Sequence, residues 1–252
     1  MKKLGLAAML CVSVCLLYGC TGNIKNPSQS SSQSTESEAS YHGVDVTPGE
    51  LAEQIQVENI SPYEGIFLEE EEKDRVENVY ALKVTNISED TILHATLNYR
   101  AGNKDLTFYL EMLPKGKSVI VAEKSRQSVK NENLKYTEGE IKYIKEGLEN
   151  MESVKITPTN LSTLNVKNMT KEELPVVWIF YRKAQEDGTL LGGRCYDTGI
   201  VDLGARETYE AEAEYWMDDC EIVNVLLIDS LDSLKTEGEP MQGIEEEVTS
   251  NP

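Results

Sequence analysis

The sequence predicts a mainly β chain: two tandem, small antiparallel β-sandwich modules joined by a short linking helix, behind a signal peptide and a disordered tether. Three observations predict it. The first is an internal repeat, the mark of a duplicated unit. Leu82-Lys83-Val84-Thr85-Asn86-Ile87-Ser88 matches Leu164-Asn165-Val166-Lys167-Asn168-Met169-Thr170, and the register runs on without a gap through 93–100 against 175–182. After a longer hairpin in the second copy, Lys115-Gly116-Lys117 falls opposite Leu203-Gly204-Ala205. The second is alternation: Tyr80, Leu82 and Val84, then Leu93, Ala95, Leu97 and Tyr99, are separated by polar residues, the period of a strand with one buried face. The third is turn chemistry, with Ala101-Gly102-Asn103 and Glu186-Asp187-Gly188 reading as hairpins and Gly116 and Gly204 marking the next turns.

The chain begins with Lys2 and Lys3, then an apolar stretch over 4–17, then Cys20. About 20 apolar residues are needed to cross a bilayer as a helix, so this stretch reads as a cleaved secretory signal over 1–19. Leu17-Tyr18-Gly19-Cys20 resembles the lipobox of bacterial lipoproteins. That resemblance implies a diacylated Cys20 thiol as the first mature residue and the bilayer as a partner held through its lipid; Cys11 and Cys15 leave with the signal. Two or three acyl chains at about 0.8 kcal/mol per buried methylene make a lasting anchor. The implied place is the outer face of a cell membrane, the single-membrane Gram-positive arrangement being favoured.

Residues 20–43 form the lipidated tether: from 26 to 40 it is almost all Ser, Gln, Thr and Glu and lacks the apolar surface that offsets ordering entropy. About 20 such residues reach roughly 25 Å. The first module occupies 44–155 with the linking helix, the second 156–234, and an acidic disordered tail 235–252. Within the first, Thr47-Pro48-Gly49-Glu50 has a capping residue, proline at the first helical position and glutamate three after the cap, so a short helix starts there. Thr137 and Glu140 share that spacing, and Ile141, Ile144, Leu148 and Met151 follow at helical intervals, which predicts the linking helix over 138–150. A hairpin is the alternative, because Gly139 and Gly147 weaken a helix.

An alternating strand ending in Asn, a polar turn, a strand ending at Phe180-Tyr181, a Gly hairpin and a later Gly-centred turn resemble the FxLYD-type bacterial modules. The resemblance spans about 60 residues of each copy, by the comparison of repeats above. Tyr181 is followed by Arg182, so the Leu-Tyr-Asp part of the family pattern is missing. It implies immunoglobulin-like extracytoplasmic domains that act as scaffold or interaction modules and carry no catalytic residue.

Composition and motifs narrow the chemistry. With 44 acidic against 24 basic residues, a net charge of −20 speaks against nucleic acid and against charge-driven binding to an anionic membrane. His42 and His94 are the only histidines, neither beside a suitable ligand or nucleophile. No phosphate loop, dinucleotide turn or serine elbow is present, and nothing calls for a cofactor. The runs Glu69-Glu70-Glu71-Glu72 with Asp74, and Asp218-Asp219 with Glu221, are acidic, but their carboxylates alternate between faces and do not converge as a calcium loop does; solvated loops are the plainer reading. Four Asn-x-Ser/Thr triplets, at Asn59, Asn86, Asn160 and Asn168, read as turn residues. Cys195 and Cys220 are either a disulfide closing a loop of about 25 residues or two small buried thiols.

One departure between the copies marks a candidate surface. His94, Thr96 and Asn98 correspond to Val176, Trp178 and Phe180, so the second strand is apolar on both faces. Either the rest of the chain covers it, or an envelope protein or glycan does, with Trp216 among Glu210, Glu212 and Glu214 extending an aromatic patch. The sequence therefore points to a non-catalytic binding or scaffold lipoprotein. The alternatives are a solute-binding component of a transporter and a carboxylate-based glycan-acting enzyme.

Overall fold

The structure, a computed structural model, describes residues 41–68, 75–130, 133–144, 147–160 and 162–229, with the backbone alone for 41–44. The signal, Cys20, most of the tether and the tail expected over 235–252 lie outside the described residues.

The fold is almost all antiparallel sheet. The first half runs β1 (Tyr41–Val46), α1 (Pro48–Gln54), β2 (Ile55–Asn59), β3 (Tyr63–Ile66), β4 (Arg75–Val79), β5 (Ala81–Asn86), β6 (Ile92–Ala101), β7 (Lys104–Leu113), β8 (Ser118–Ala122) and β9 (Leu134–Ile144). The second runs through a 3-10 turn (Met151–Ser153), β10 (Val154–Asn160), β11 (Thr163–Asn168), β12 (Leu174–Lys183), β13 (Leu190–Leu191), β14 (Tyr196–Leu203), β15 (Thr208–Glu212) and β16 (Cys220–Ile228). The first half forms sheets in the order β1-β9-β6-β7 and β2-β5-β8; the second forms β14-β12-β16 and β10-β11-β15. Residues 148–150 take the place of β1 along β16, through Leu227 N–H to Leu148 O and Asn150 N–H to Val225 O, both 2.9 Å.

The repeat is thus written in the hydrogen bonding. Asn86 and Asn168, both fully buried, hold corresponding turns. The Asn86 amide donates to Asp90 O (2.9 Å) and Leu113 O (2.8 Å) while its oxygen accepts from Ser88 N and Oγ. Asn168 donates to Glu172 O (2.8 Å) and Leu203 O (3.0 Å) and accepts from Thr170 N and Oγ1. Asn59 and Asn160 likewise accept from Ser61 N and Ser162 N, so all four triplets are turn residues. The later turn shifts the alignment by two residues: Lys117 N–H bonds Pro114 O and Glu207 N–H bonds Gly204 O, which sets Gly116 against Arg206, at φ 74° and 63°.

Two expectations change and a third holds. The sheet already includes Tyr41, inside the span assigned to the tether, because β1 pairs with β9 from Tyr41↔Ile144 to Val46↔Gly139. The linking helix over 138–150 is absent; its first half is β9, bonded on both sides, to β1 and β6. Local helical spacing yields here to the sheet, in which β9 is paired along both edges and Ile141 reaches the core. Gly139 admits the close approach of β6, since a Cβ would lie 2.6 Å from Thr96 O. The short helix at Thr47 does form, and Glu50 Oε2 accepts from Thr47 N (3.0 Å) and Oγ1 (2.6 Å).

Each half carries one insertion. The first has the β3–β4 hairpin, whose Phe67 packs with Val76, Val79 and Ala122 in a small cluster of its own. The second has the extended hairpin between β12 and β14. They meet: a Cβ on Gly192 would lie 2.6 Å from Leu68 Cβ.

Candidate functional site

The apolar face of β12 is the place where the sequence leaves a partner or the rest of the chain to supply the cover, and the first half supplies it. Val176, Trp178 and Phe180 are 3%, 3% and 4% exposed and belong to one hydrophobic cluster with the core of β5 to β9. Their cross-strand neighbours Leu226 and Ile228 join them. As a free partner surface these three side chains are therefore withdrawn, because contact with the first half already takes their apolar area out of water. Trp216 is also buried, at 7%, but in the other core, 5.5 Å from the Tyr181 ring, so it extends no patch around Trp178.

The seam is polar at its margin. β13 adds to the edge of β8 in parallel, Leu190 beside Val119 and Leu191 beside Ile120, and Gly192 N–H bonds Ile120 O at 2.9 Å. Beside it, Glu111 N–H donates to Gly193 O (2.8 Å) and Glu111 Oε2 accepts from Cys195 N–H (2.9 Å). Arg182, fully buried, sends Nη2 to Glu111 O (2.6 Å) and Gly193 O (3.0 Å), while its Nε and Nη1 bond no protein group. Lys117 pairs with Glu221 across the two halves at 2.8 Å. The Trp178 indole N–H is satisfied by Asp197 Oδ1 at 2.9 Å. Sequence reading missed Glu111, Arg182 and β13. The one available signal was the longer hairpin itself, whose Leu190-Leu191 pair is too apolar for a free loop.

Cys195 and Cys220 are not joined in a disulfide. Cys195 is buried, its Sγ 3.5 Å from Tyr181 O, and burial, partly opposed by the Arg182 guanidinium, pushes the thiol up to about 12, which leaves it unreactive. Of the two acidic runs, 69–72 and Asp74 lie outside the described residues. In the other, Asp219 pairs with Lys183 at 2.6 Å and Glu221 with Lys117, so each faces an ammonium group. Among the described residues no group of three or more His, Cys, Asp or Glu stands close enough to hold a metal ion. His94 is half-buried on the outer face of β6, its ring edge-on to Tyr109 at 4.5 Å, and burial holds its pKa below the ordinary value.

Two shallow clefts sit at corresponding corners of the halves. One, about 310 Å³, is lined by Asn59, Pro62, Tyr80 and Lys130; the other, about 380 Å³, by Pro158, Asn160, Trp216 and Asp218. Both are wide open, and each is lined by one aromatic ring and one charged side chain, Lys130 in the first and Asp218 in the second. Comparison with family models, with curated proteins and with solved structures returns no match.

Proposed function

We propose that this chain is a membrane-anchored surface lipoprotein whose two tandem immunoglobulin-like modules, locked into one body, serve as a non-catalytic binding or scaffold unit on the exterior of the cell envelope. The observation that carries the reading is the order of parts: a basic and apolar leader, Leu17-Tyr18-Gly19-Cys20, a Ser-rich tether, then a β body. The module type is supported by strand order. In each half the second, third and sixth main strands make one sheet and the fourth, fifth and seventh the other, the crossing pattern of Greek-key sandwiches. A seam that spends its largest apolar face internally favours a rigid spacer with recognition at other surfaces. Catalytic and solute-binding alternatives draw no support from the two open clefts.

The test is metabolic labelling with palmitate. The wild-type chain takes up label and fractionates with membrane, whereas Cys20→Ser remains an unlabelled precursor. Label retained by Cys20→Ser, or absent from the wild type, overturns the anchor.

A further inference from the structure

The corner of the first half that receives the second half is repeated on the second half, where among the described residues no strand is added to it. In the first half this corner is made by the outer edges of β7 and β8: Glu111 N–H bonds Gly193 O, and Ile120 O accepts from Gly192 N–H, both on the inserted hairpin. The corresponding edges of the second half are β14 and β15, each the last strand of its sheet. Counting by the turn that pairs Lys117 with Glu207, Val201 stands where Glu111 does, Tyr209 where Val119 does and Glu210 where Ile120 does. Val201 and Tyr209 are 51% and 49% exposed, two of the six exposed large hydrophobic side chains among the described residues. Around them Asp202, Glu207, Glu210 and Glu212 are exposed, and Arg206, exposed in the same turn, is bonded to Met169 O.

We infer that the β14–β15 corner is a strand-acceptor site for an extended, basic segment of a partner protein, docked as the chain's own hairpin docks on β7 and β8. The inference deepens the binding reading above and rests on it. An unpaired edge supplies backbone donors and acceptors for an added strand, Val201 and Tyr209 supply an apolar seat, and the four carboxylates select lysine or arginine at the flanks. A second copy of this chain does not fit, because its one long hairpin is already engaged with β8 and its tail is acidic.

The experiment places the photocrosslinker p-benzoylphenylalanine at Val201, at Tyr209 and, as a control on another exposed strand, at Thr157, in the full-length lipoprotein in living cells. The expected result is one adduct shared by 201 and 209 and absent from 157, with lysine or arginine within two residues of the linked position by mass spectrometry. Reversing the charge with Glu210→Lys and Glu212→Lys together should weaken that adduct about tenfold, as like charges across a contact oppose docking. Both side chains are exposed, so the doubly substituted chain folds. No adduct at 201 and 209, an adduct to a second copy, or an acidic linked segment overturns the inference. Adducts from Thr157 alone overturn it while leaving the broader binding reading standing.

Discussion

Thr96 and Trp178 occupy the same place on corresponding strands. Thr96 lies between Tyr109 and Glu140, Trp178 between Gly199 and Leu226. Around them His94 matches Val176, Asn98 matches Phe180 and Lys142 matches Ile228. One sheet face meets water and the other meets the opposite half, although the backbones pair in the same register. The edges diverge in the reverse sense: Val119-Ile120 on β8 is apolar and covered, Tyr209-Glu210 on β15 is open and partly charged. The lesson is a division of labour. Buried asparagines and turns keep the topology of both copies, while a few side chains on one face and one edge decide which surfaces join. A head-to-tail contact of this kind continues indefinitely if both ends keep both surfaces. Here the first half presents His94, Thr96 and Asn98 in place of the apolar face, and the edge of β15 puts Glu210 where β8 has Ile120, so the series stops at two.

The largest effect should come at the seam. Trp178→Ala opens a cavity and leaves Asp197 without its donor, at a cost of about 3–5 kcal/mol. Thr96→Ala, at the matching position, should cost only about 1 kcal/mol, for its hydrogen bond with His94 Nε2 and its strand propensity. Urea unfolding of the two variants measures the difference; equal losses would break the comparison. Next come the turns, where the copies should agree. Asn86→Ala and Asn168→Ala each leave buried carbonyls unpaired, for about 2–4 kcal/mol apiece. Unfolding midpoints that differ widely would mean that one half depends on its asparagine and the other does not.

The smallest effect is pH dependence at His94. Desolvation lowers its pKa in the fold, Glu111 and Glu140 raise it less, and Lys142 adds to the lowering. The unfolded chain therefore binds the proton more readily than the folded one. The contribution of this site is full above about pH 6.5 and is lost as pH falls through that range. Val176, its counterpart, does not titrate. His94→Gln should flatten that segment of the stability profile, and a profile unchanged by the substitution would sink the assignment.

Much of the fold was legible in the residues because it is local. Alternation marked β5 and β6, and the capping box at Thr47 marked α1. The matched Asn-x-Ser/Thr turns exposed the repeat. β9 reads as helix because Ile141, Ile144, Leu148 and Met151 recur at helical intervals, while Ile141 and Tyr143 alternate as in a strand, and only the neighbours β1 and β6 decide between them. The seam was half legible: the doubly apolar β12 announced that something covers it, but no periodicity can reveal a two-residue parallel strand such as β13. Arg182 was invisible for the same reason, since its counterpart Arg100 is an exposed partner of Asp105 and nothing local separates the two.

The pairing of β13 with β8 also has a clock. In a chain that threads out N-terminal end first, as the proposed lipoprotein does, the edge of β8 can form once residue 122 is out, and its cover comes only with Leu190 and Leu191. Until the intervening ~70 residues have followed, Val119 and Ile120 offer an unpaired apolar strand to any other unfolded chain nearby. A message truncated anywhere between those points yields a chain that never closes it.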